Sequence, residues 1–242
     1  MHLITGMHRS GTSLFARLVY DAGGNLGDSK TFYRSDKWNP DGYYEQVDVQ
    51  QINMKLINGI WGKLAYLSLP SKQKILDRAK KHKSELVNLS KKYDDKIVKE
   101  TRFCLTFPAW IFAGAIFDRV ILCIREPMEV VLSLQQRNHI TNSFALKLWC
   151  IHYERILRYL ENIEYHILYY NQLISEYGCR SELYHAFKYL DLNPSDKKID
   201  TMYSSIRFSS NKQQTVTAYP ENVKTIWEKL LILHQEGNSK NL

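Results

Sequence analysis

Eight residues near the start of the chain have the types and spacing to hold an anion. Gly6-Met7-His8-Arg9-Ser10-Gly11-Thr12-Ser13 follows the short apolar run His2-Leu3-Ile4-Thr5 and precedes Leu14-Phe15-Ala16-Arg17-Leu18-Val19-Tyr20, whose apolar residues have helical spacing. Strand, glycine-bounded loop and helix turn free backbone N–H groups toward one point, where a phosphate or sulfate fits. Thr12 and Ser13 add hydroxyl donors, and Arg9 adds a fixed positive charge. A second anion site is spelled by Arg125 and Ser133. Arg125 ends the continuous apolar run Val120-Ile121-Leu122-Cys123-Ile124, Pro127 opens a helix, and Ser133 stands about two turns along it. A strand-end arginine with a hydroxyl nearby suits a second phosphate.

These residues need a scaffold that gathers strand ends. Short apolar runs centred near Leu3, Ile97, Ile121 and Ile167 read as strands, and helical periodicity fills the stretches between them. The alternation predicts an α/β fold, a central parallel sheet flanked by helices on both faces, with residues 1–242 forming a single domain. Helices are expected over Val47 to Asn58, Ser71 to Lys92, Pro127 to Arg137, Ser143 to Glu161 with Ser143 as N-cap, Leu183 to Leu190 and Trp227 to His234, and an apolar helix or turn over Trp110 to Phe117. Ser195 to Gln214 reads as a polar loop, and residues 235–242 as a frayed tail. Asn39-Pro40-Asp41-Gly42-Tyr43-Tyr44-Glu45 is a turn in a long connector, the kind of segment that often carries function.

Composition narrows the classes. The 242 residues are 44% hydrophobic and 24% charged, which describes a globular chain. A net charge of +8 suits a polyanionic ligand, while the lack of an arginine-rich block argues against nucleic acid. No stretch reaches the length of a membrane span. Cys104, Cys123, Cys150 and Cys179 are widely spaced with no C-x-x-C pair, which speaks for buried free thiols, a reducing cytoplasmic compartment and no zinc site.

The first loop has the glycine spacing of the nucleoside-triphosphate loop G-x-x-x-x-G-K-[ST], but Thr12 occupies the lysine position and the cation sits three residues earlier, at Arg9. The string Arg9-Ser10-Gly11-Thr12-Ser13 instead resembles the 5′-phosphosulfate loop of sulfotransferases that use 3′-phosphoadenosine 5′-phosphosulfate (PAPS). Ile124-Arg125-Glu126-Pro127 with Ser133 resembles that family's 3′-phosphate stretch. Tyr43-Tyr44-Glu45 in its Asn-Pro-x-Gly context is similar to the N-P-x-G-[YF]-[FY]-E stretch of bacterial sulfotransferase-like proteins. Tyr170-Asn171-Gln172-Leu173 and Phe187-Lys188-Tyr189-Leu190-Asp191-Leu192 are looser matches to later family elements, and Ile206 to Ser210 a poor one to its closing basic segment.

The resemblance implies a P-loop-type sheet and a metal-free transfer of the sulfuryl group from PAPS to an acceptor hydroxyl. It assigns Arg9, Ser10, Gly11, Thr12 and Ser13 to the 5′-phosphosulfate, and Arg125 and Ser133 to the 3′-phosphate. Arg9 and Lys99 would act on the reacting group, Lys99 stabilising the leaving side from a strand end. Glu45 would be the base, since the histidine that some members place just after the strand lysine is missing from Glu100-Thr101-Arg102-Phe103. Arg102 would touch nucleotide or acceptor. Phe32, Tyr33, Trp38, Tyr43 and Tyr44 could stack on a sugar or an aromatic acceptor, a glycan being favoured. A P-loop small-molecule kinase using ATP, and a non-catalytic nucleotide- or polyanion-binding module, are the competing readings.

Overall fold

The structure, a computed structural model, describes residues 1–57, 67–207 and 219–240. Its centre is a sheet of four parallel strands, β1 (His2–Thr5), β2 (Ile97–Lys99), β3 (Arg119–Ile124) and β4 (Tyr165–Tyr169), in the order β2-β1-β3-β4. All four expected strands are present. Their registers pair Leu3 with Val98 and Val120, and Leu122 with Ile167.

Side chains alternate across the sheet, so each strand feeds two cores. Leu3, Val98, Val120, Leu122, Ile124 and Ile167 face one core. It is built with α2 (Val47–Ile57), α3 (Lys72–Lys81), α4 (Lys83–Lys92), α5 (Phe103–Phe112), α6 (Pro127–Asn138), α7 (Asn142–Tyr159) and α11 (Glu221–Lys240). Ile4, Ile97, Ile121, Cys123 and Leu168 face the other. There they meet α1 (Thr12–Asp21), the short α8 (Tyr170–Leu173), α9 (Cys179–Tyr189) and α10 (Asp196–Ser205). The sheet is covered on both faces, as expected. Among the described residues no helix is long and apolar enough to cross a membrane.

Several boundaries differ from the sequence expectation, each for a local reason. The charged stretch 71–92 forms two helices, because the backbone leaves helical geometry at His82. The cap of α7 is Thr141, whose hydroxyl accepts from the Phe144 N–H, rather than Ser143. The apolar helix starts at Phe103, directly after the strand-end residues, and not at Trp110. Part of the expected polar loop is α10, which turns Met202 and Ile206 into the core. Asn58, the end expected for α2, and Phe208 to Ser210 of the basic segment lie outside the described residues.

The strand order reverses direction at β1, which has β2 on one side and β3 on the other. In such sheets the loops beyond β1 and β3 separate and leave a crevice at their carboxyl ends. Gly6 sets how closely those loops can lie. A Cβ built on it would sit 2.3 Å from the Cys123 carbonyl oxygen, and its φ of +151° is one that side chains rarely adopt. Gly6→Ala is therefore expected to lower the unfolding free energy by about 2–4 kcal/mol in urea titration, through clash and backbone strain together.

Candidate functional site

Beyond β1 the chain turns through Met7 to Ser10 and enters α1 at Gly11, whose φ of 83° lies in the left-handed region. A Cβ at Gly11 would fall 2.0 Å from a Tyr170 ring carbon, so glycine is what allows the loop to meet the end of β4. Thr12 and Ser13 then open the helix and line the cleft with Gly11. Ser10 does not join them. It is fully buried, its hydroxyl shares a 2.8 Å hydrogen bond with the Tyr153 hydroxyl, and its N–H donates to the Met7 carbonyl. Tyr153 in turn donates to the Cys123 carbonyl at 2.9 Å, so Ser10 ties the loop to α7 and β3.

Arg9 also has a left-handed φ, 72°, and this turns its side chain toward α6. Its Nε donates to Ser133 Oγ at 2.8 Å, and Arg125 Nη1 donates to the Arg9 carbonyl at 3.1 Å. The two sequence-predicted anion sites are thus one continuous surface, with Arg9 between them. Arg125 leaves the end of β3, pairs with Glu129 at 2.8 Å and lies over the Tyr170 ring. Burial, then the positive charges of Arg137 and Arg125, hold the Arg9 guanidinium below its ordinary pKa. An incoming anion would relieve that repulsion.

On the other side of the loop stands a buried cluster of charge. Lys99, at the end of β2, is 1% exposed. Its Nζ donates to Glu45 Oε1 at 2.6 Å and to Ser13 Oγ at 3.2 Å. Glu45 is brought there by its neighbour Gln46, whose amide donates to the Leu26 and Ile97 carbonyls and accepts from the Lys99 N–H. The long connector is thereby pinned along β2, and Glu45 lands beside Lys99 although 54 residues separate them. Burial works to raise the Glu45 carboxyl, but Lys99, Arg102 and the Gln50 amide outweigh it and hold the group below its ordinary value. Arg102 donates to Glu100 at 2.6 Å and lies 3.8 Å from Glu45.

The remaining wall of the cleft comes from His8, Trp38, Asn39, Tyr43, Thr101 and Arg137. His8 Nδ1 lies 2.9 Å from Thr101 Oγ1, and burial followed by Arg102, His152 and Lys99 pushes its imidazole well below the usual value, so it is neutral near pH 7. Tyr43 donates to Asp36 at 2.8 Å, and burial together with that bond raises its phenol to about 12. Phe32, Tyr33 and Tyr44 are not part of the cleft lining: Phe32 and Tyr44 pack on each other at a tilt, and Tyr33 meets the Tyr43 ring edge-on. His139 and His152 are not part of the cleft lining: His139 closes α6, and His152 is buried behind His8, edge-on to its ring, with its Nδ1–H donating to the Leu148 carbonyl.

Arg137 and Tyr170 also line the cleft. Arg137 is one helical turn beyond Ser133, on the same face of α6. Tyr170 follows the last residue of β4, as Arg125 follows that of β3. The cleft has a volume of about 180 Å³, and its lining carries Arg9, Arg125, Arg137 and Lys99 against the single carboxylate of Glu45.

No family model and no curated protein matches the sequence. Solved structures do match its fold. A sulfotransferase domain from the curacin biosynthetic pathway superposes with a TM-score of 0.50 at 14% identity, covering 96% of this chain and 97% of that one. The sulfotransferase domain of the Synechococcus PCC 7002 olefin synthase superposes with a TM-score of 0.50 at 15% identity, covering 100% and 92%. The chain has the sulfotransferase fold. At that identity the likeness speaks for the arrangement of elements, so the roles of individual residues rest on their geometry.

Within this sulfotransferase fold the Glu45–Lys99 pair makes stability depend on pH. The folded-state value of Glu45 lies below its ordinary 4.5, so its contribution is complete above that pH and is lost as pH falls through the folded value. Glu45→Gln leaves Lys99 buried without a carboxylate and is expected to cost roughly 3 kcal/mol at pH 7. In chemical denaturation the gap between variant and wild type should narrow as the pH drops below 4.5.

Proposed function

We propose that the chain is a PAPS-dependent sulfotransferase, a single domain that moves a sulfuryl group to an acceptor hydroxyl. The observation that carries this reading is the position of Lys99. Its ammonium bridges Ser13, in the first turn of the anion-binding helix, and Glu45, on the connector between α1 and α2. A cation and a carboxylate thus flank the point at which the phosphosulfate loop would present its ligand.

The donor set fits such a ligand. Four cationic side chains against one carboxylate suit a molecule with two phosphate-type groups, and the loop N–H groups and hydroxyls suit an oxyanion that needs no metal. Bound PAPS supplies an activated sulfuryl group attached to a phosphate leaving group. Gly11, Thr12 and Ser13 would hold the phosphosulfate, Arg125 and Ser133 the 3′-phosphate, and Arg9 would reach both. Ser10 supports the loop from beneath.

The acceptor oxygen bonds to sulfur as the bond from sulfur to the phosphate oxygen breaks, and two residues manage the charge. Lys99 turns toward the leaving oxygen and offsets its growing charge. Glu45 loses its closest cation in that motion, becomes more basic, and takes the proton of the acceptor hydroxyl. Trp38 and Tyr43 offer the aromatic faces on which a sugar ring stacks, so a glycan is the favoured acceptor. The buried thiols of all four cysteines suit a reducing, cytoplasmic setting.

A kinase reading would require a lysine where Thr12 stands. A binding module would need no base beside the donor site, so the two classes separate in one variant. Glu45→Gln should keep affinity for 3′-phosphoadenosine 5′-phosphate while lowering turnover of radiolabelled PAPS by about 100- to 10,000-fold. Turnover unchanged by that substitution would remove Glu45 from the chemistry. Arg125→Ala, in contrast, is expected to weaken the bisphosphate about 10- to 100-fold by calorimetry, the loss of a charge-assisted contact.

A further inference from the structure

Behind the Glu45–Lys99 pair lies a buried carboxylate that the transfer reaction does not touch. Glu100 is completely buried, and its carboxylate accepts three hydrogen bonds. Asn53 Nδ2 donates to its Oε2 at 2.6 Å. Arg102 donates twice to its Oε1, from the backbone N–H at 3.1 Å and from Nη1 at 2.6 Å. The orientation of Asn53 is fixed, because its Oδ1 accepts from the Thr106 hydroxyl and the Trp110 indole. Arg102 is nearly as buried, 8% exposed, and has two carboxylates within reach. It lies 2.6 Å from Glu100 and 3.8 Å from Glu45.

We propose that Glu100 is a positioning residue: by holding Arg102 it keeps that guanidinium from closing on Glu45 and so leaves Glu45 able to accept a proton. The inference rests on the reading of Glu45 as the proton acceptor. Lys99 can leave Glu45 for another oxygen during the reaction, but Arg102 is anchored at the start of α5 and cannot. If Arg102 made a short bond to Glu45, the carboxylate would stay doubly paired after Lys99 turned away. Glu100 takes that bond instead. It also balances the cluster, since Lys99 and Arg102 face Glu45 and Glu100.

Other charged or titratable groups near Glu45 do not substitute for this. Lys99, from β2, is its direct partner; His8, from the anion loop, is held neutral; the Tyr43 ring lies 6.0 Å from the Lys99 ammonium; and Tyr33 interacts with Arg102 from the connector. Gln50, from α2, is uncharged and donates to Glu45 Oε2 at 3.2 Å. Burial, set against the pull of Arg102 and reinforced by the charge of Glu45, raises the Glu100 carboxyl above its ordinary value, so Glu100 is the member of the pair that protonates first as pH falls.

The test is a carbon-13 NMR pH titration of glutamate carboxyls, with Glu45 assigned from the signal lost in E45Q and Glu100 from E100Q. It needs no acceptor, so it stands or falls independently of the sulfotransferase reading. In wild type, the Glu45 signal is expected to move when Glu100 protonates, before Glu45 itself does, as Arg102 is released toward it. In E100Q, Glu45 should titrate at least about one pH unit lower than in wild type. In E100Q/R102M, which removes the guanidinium as well, that downward shift should vanish. A kcat reduced in E100Q with an unchanged dissociation constant for 3′-phosphoadenosine 5′-phosphate would extend the result to catalysis. A Glu45 signal that ignores the protonation of Glu100 in wild type would overturn the proposal; should E100Q fail to fold, the Glu100 signal is assigned from the peak displaced in the conservative E100D. An E100Q midpoint equal to or above that of wild type would overturn it as well.

Discussion

Lys99, Arg102, Glu45 and Glu100 carry charge in the interior of this protein, and burial in a medium of low dielectric demands that each be matched. That demand organises the site. Lys99 cannot be buried at the end of β2 unless a carboxylate reaches it, and among the described residues the connector between α1 and α2 brings that carboxylate, Glu45. Gln46 fastens that connector to the edge of β2 with two hydrogen bonds, to Ile97 and Lys99, and to Leu26 with a third, and so doubles as the protection of an otherwise open sheet edge. One glutamine therefore links the fold to the chemistry.

The sheet supplies the rest. With β1 flanked by β2 and β3, the anion loop emerges between Lys99 on one side and Arg125 on the other. Close approach of the loop to β3 requires Gly6, and its approach to the end of β4 requires Gly11. The cationic lining follows from topology more than from composition. Arg9, Arg125 and Arg137 come from different elements and repel one another until an anion arrives, which makes the cleft a site held ready for a ligand with two anionic groups.

Much of this was legible in the sequence. The strands were readable because Val120 to Ile124 is a continuous apolar run, as a sheet covered on both faces requires, and Ile97-Val98 and Ile167-Leu168 are short apolar cores of strand length. The anion loop and the Arg125–Ser133 spacing were readable because local geometry fixes them. Residues 196–205 read as loop because few apolar side chains mark them, and tertiary contact through Met202 makes the helix. The break at His82 has no sequence signal that outweighs the lysine-rich helical pattern around it. In the site, what escaped was every relation between distant residues. Nothing near Ser10 announces that Tyr153 will take its hydroxyl, and nothing near Glu45 says that its partner is Lys99 or that Arg102 will prefer Glu100. Spacing records which residues share an element, while pairing across elements depends on how the connector is pinned.

The central claim is that the cleft is built for a bisphosphate sulfuryl donor rather than a nucleoside triphosphate. It is tested most directly by calorimetric titration of the protein with 3′-phosphoadenosine 5′-phosphate without metal, beside ATP with Mg²⁺. The account predicts metal-independent binding of the bisphosphate and little or none of ATP. Binding of ATP with Mg²⁺ and not of the bisphosphate would contradict it.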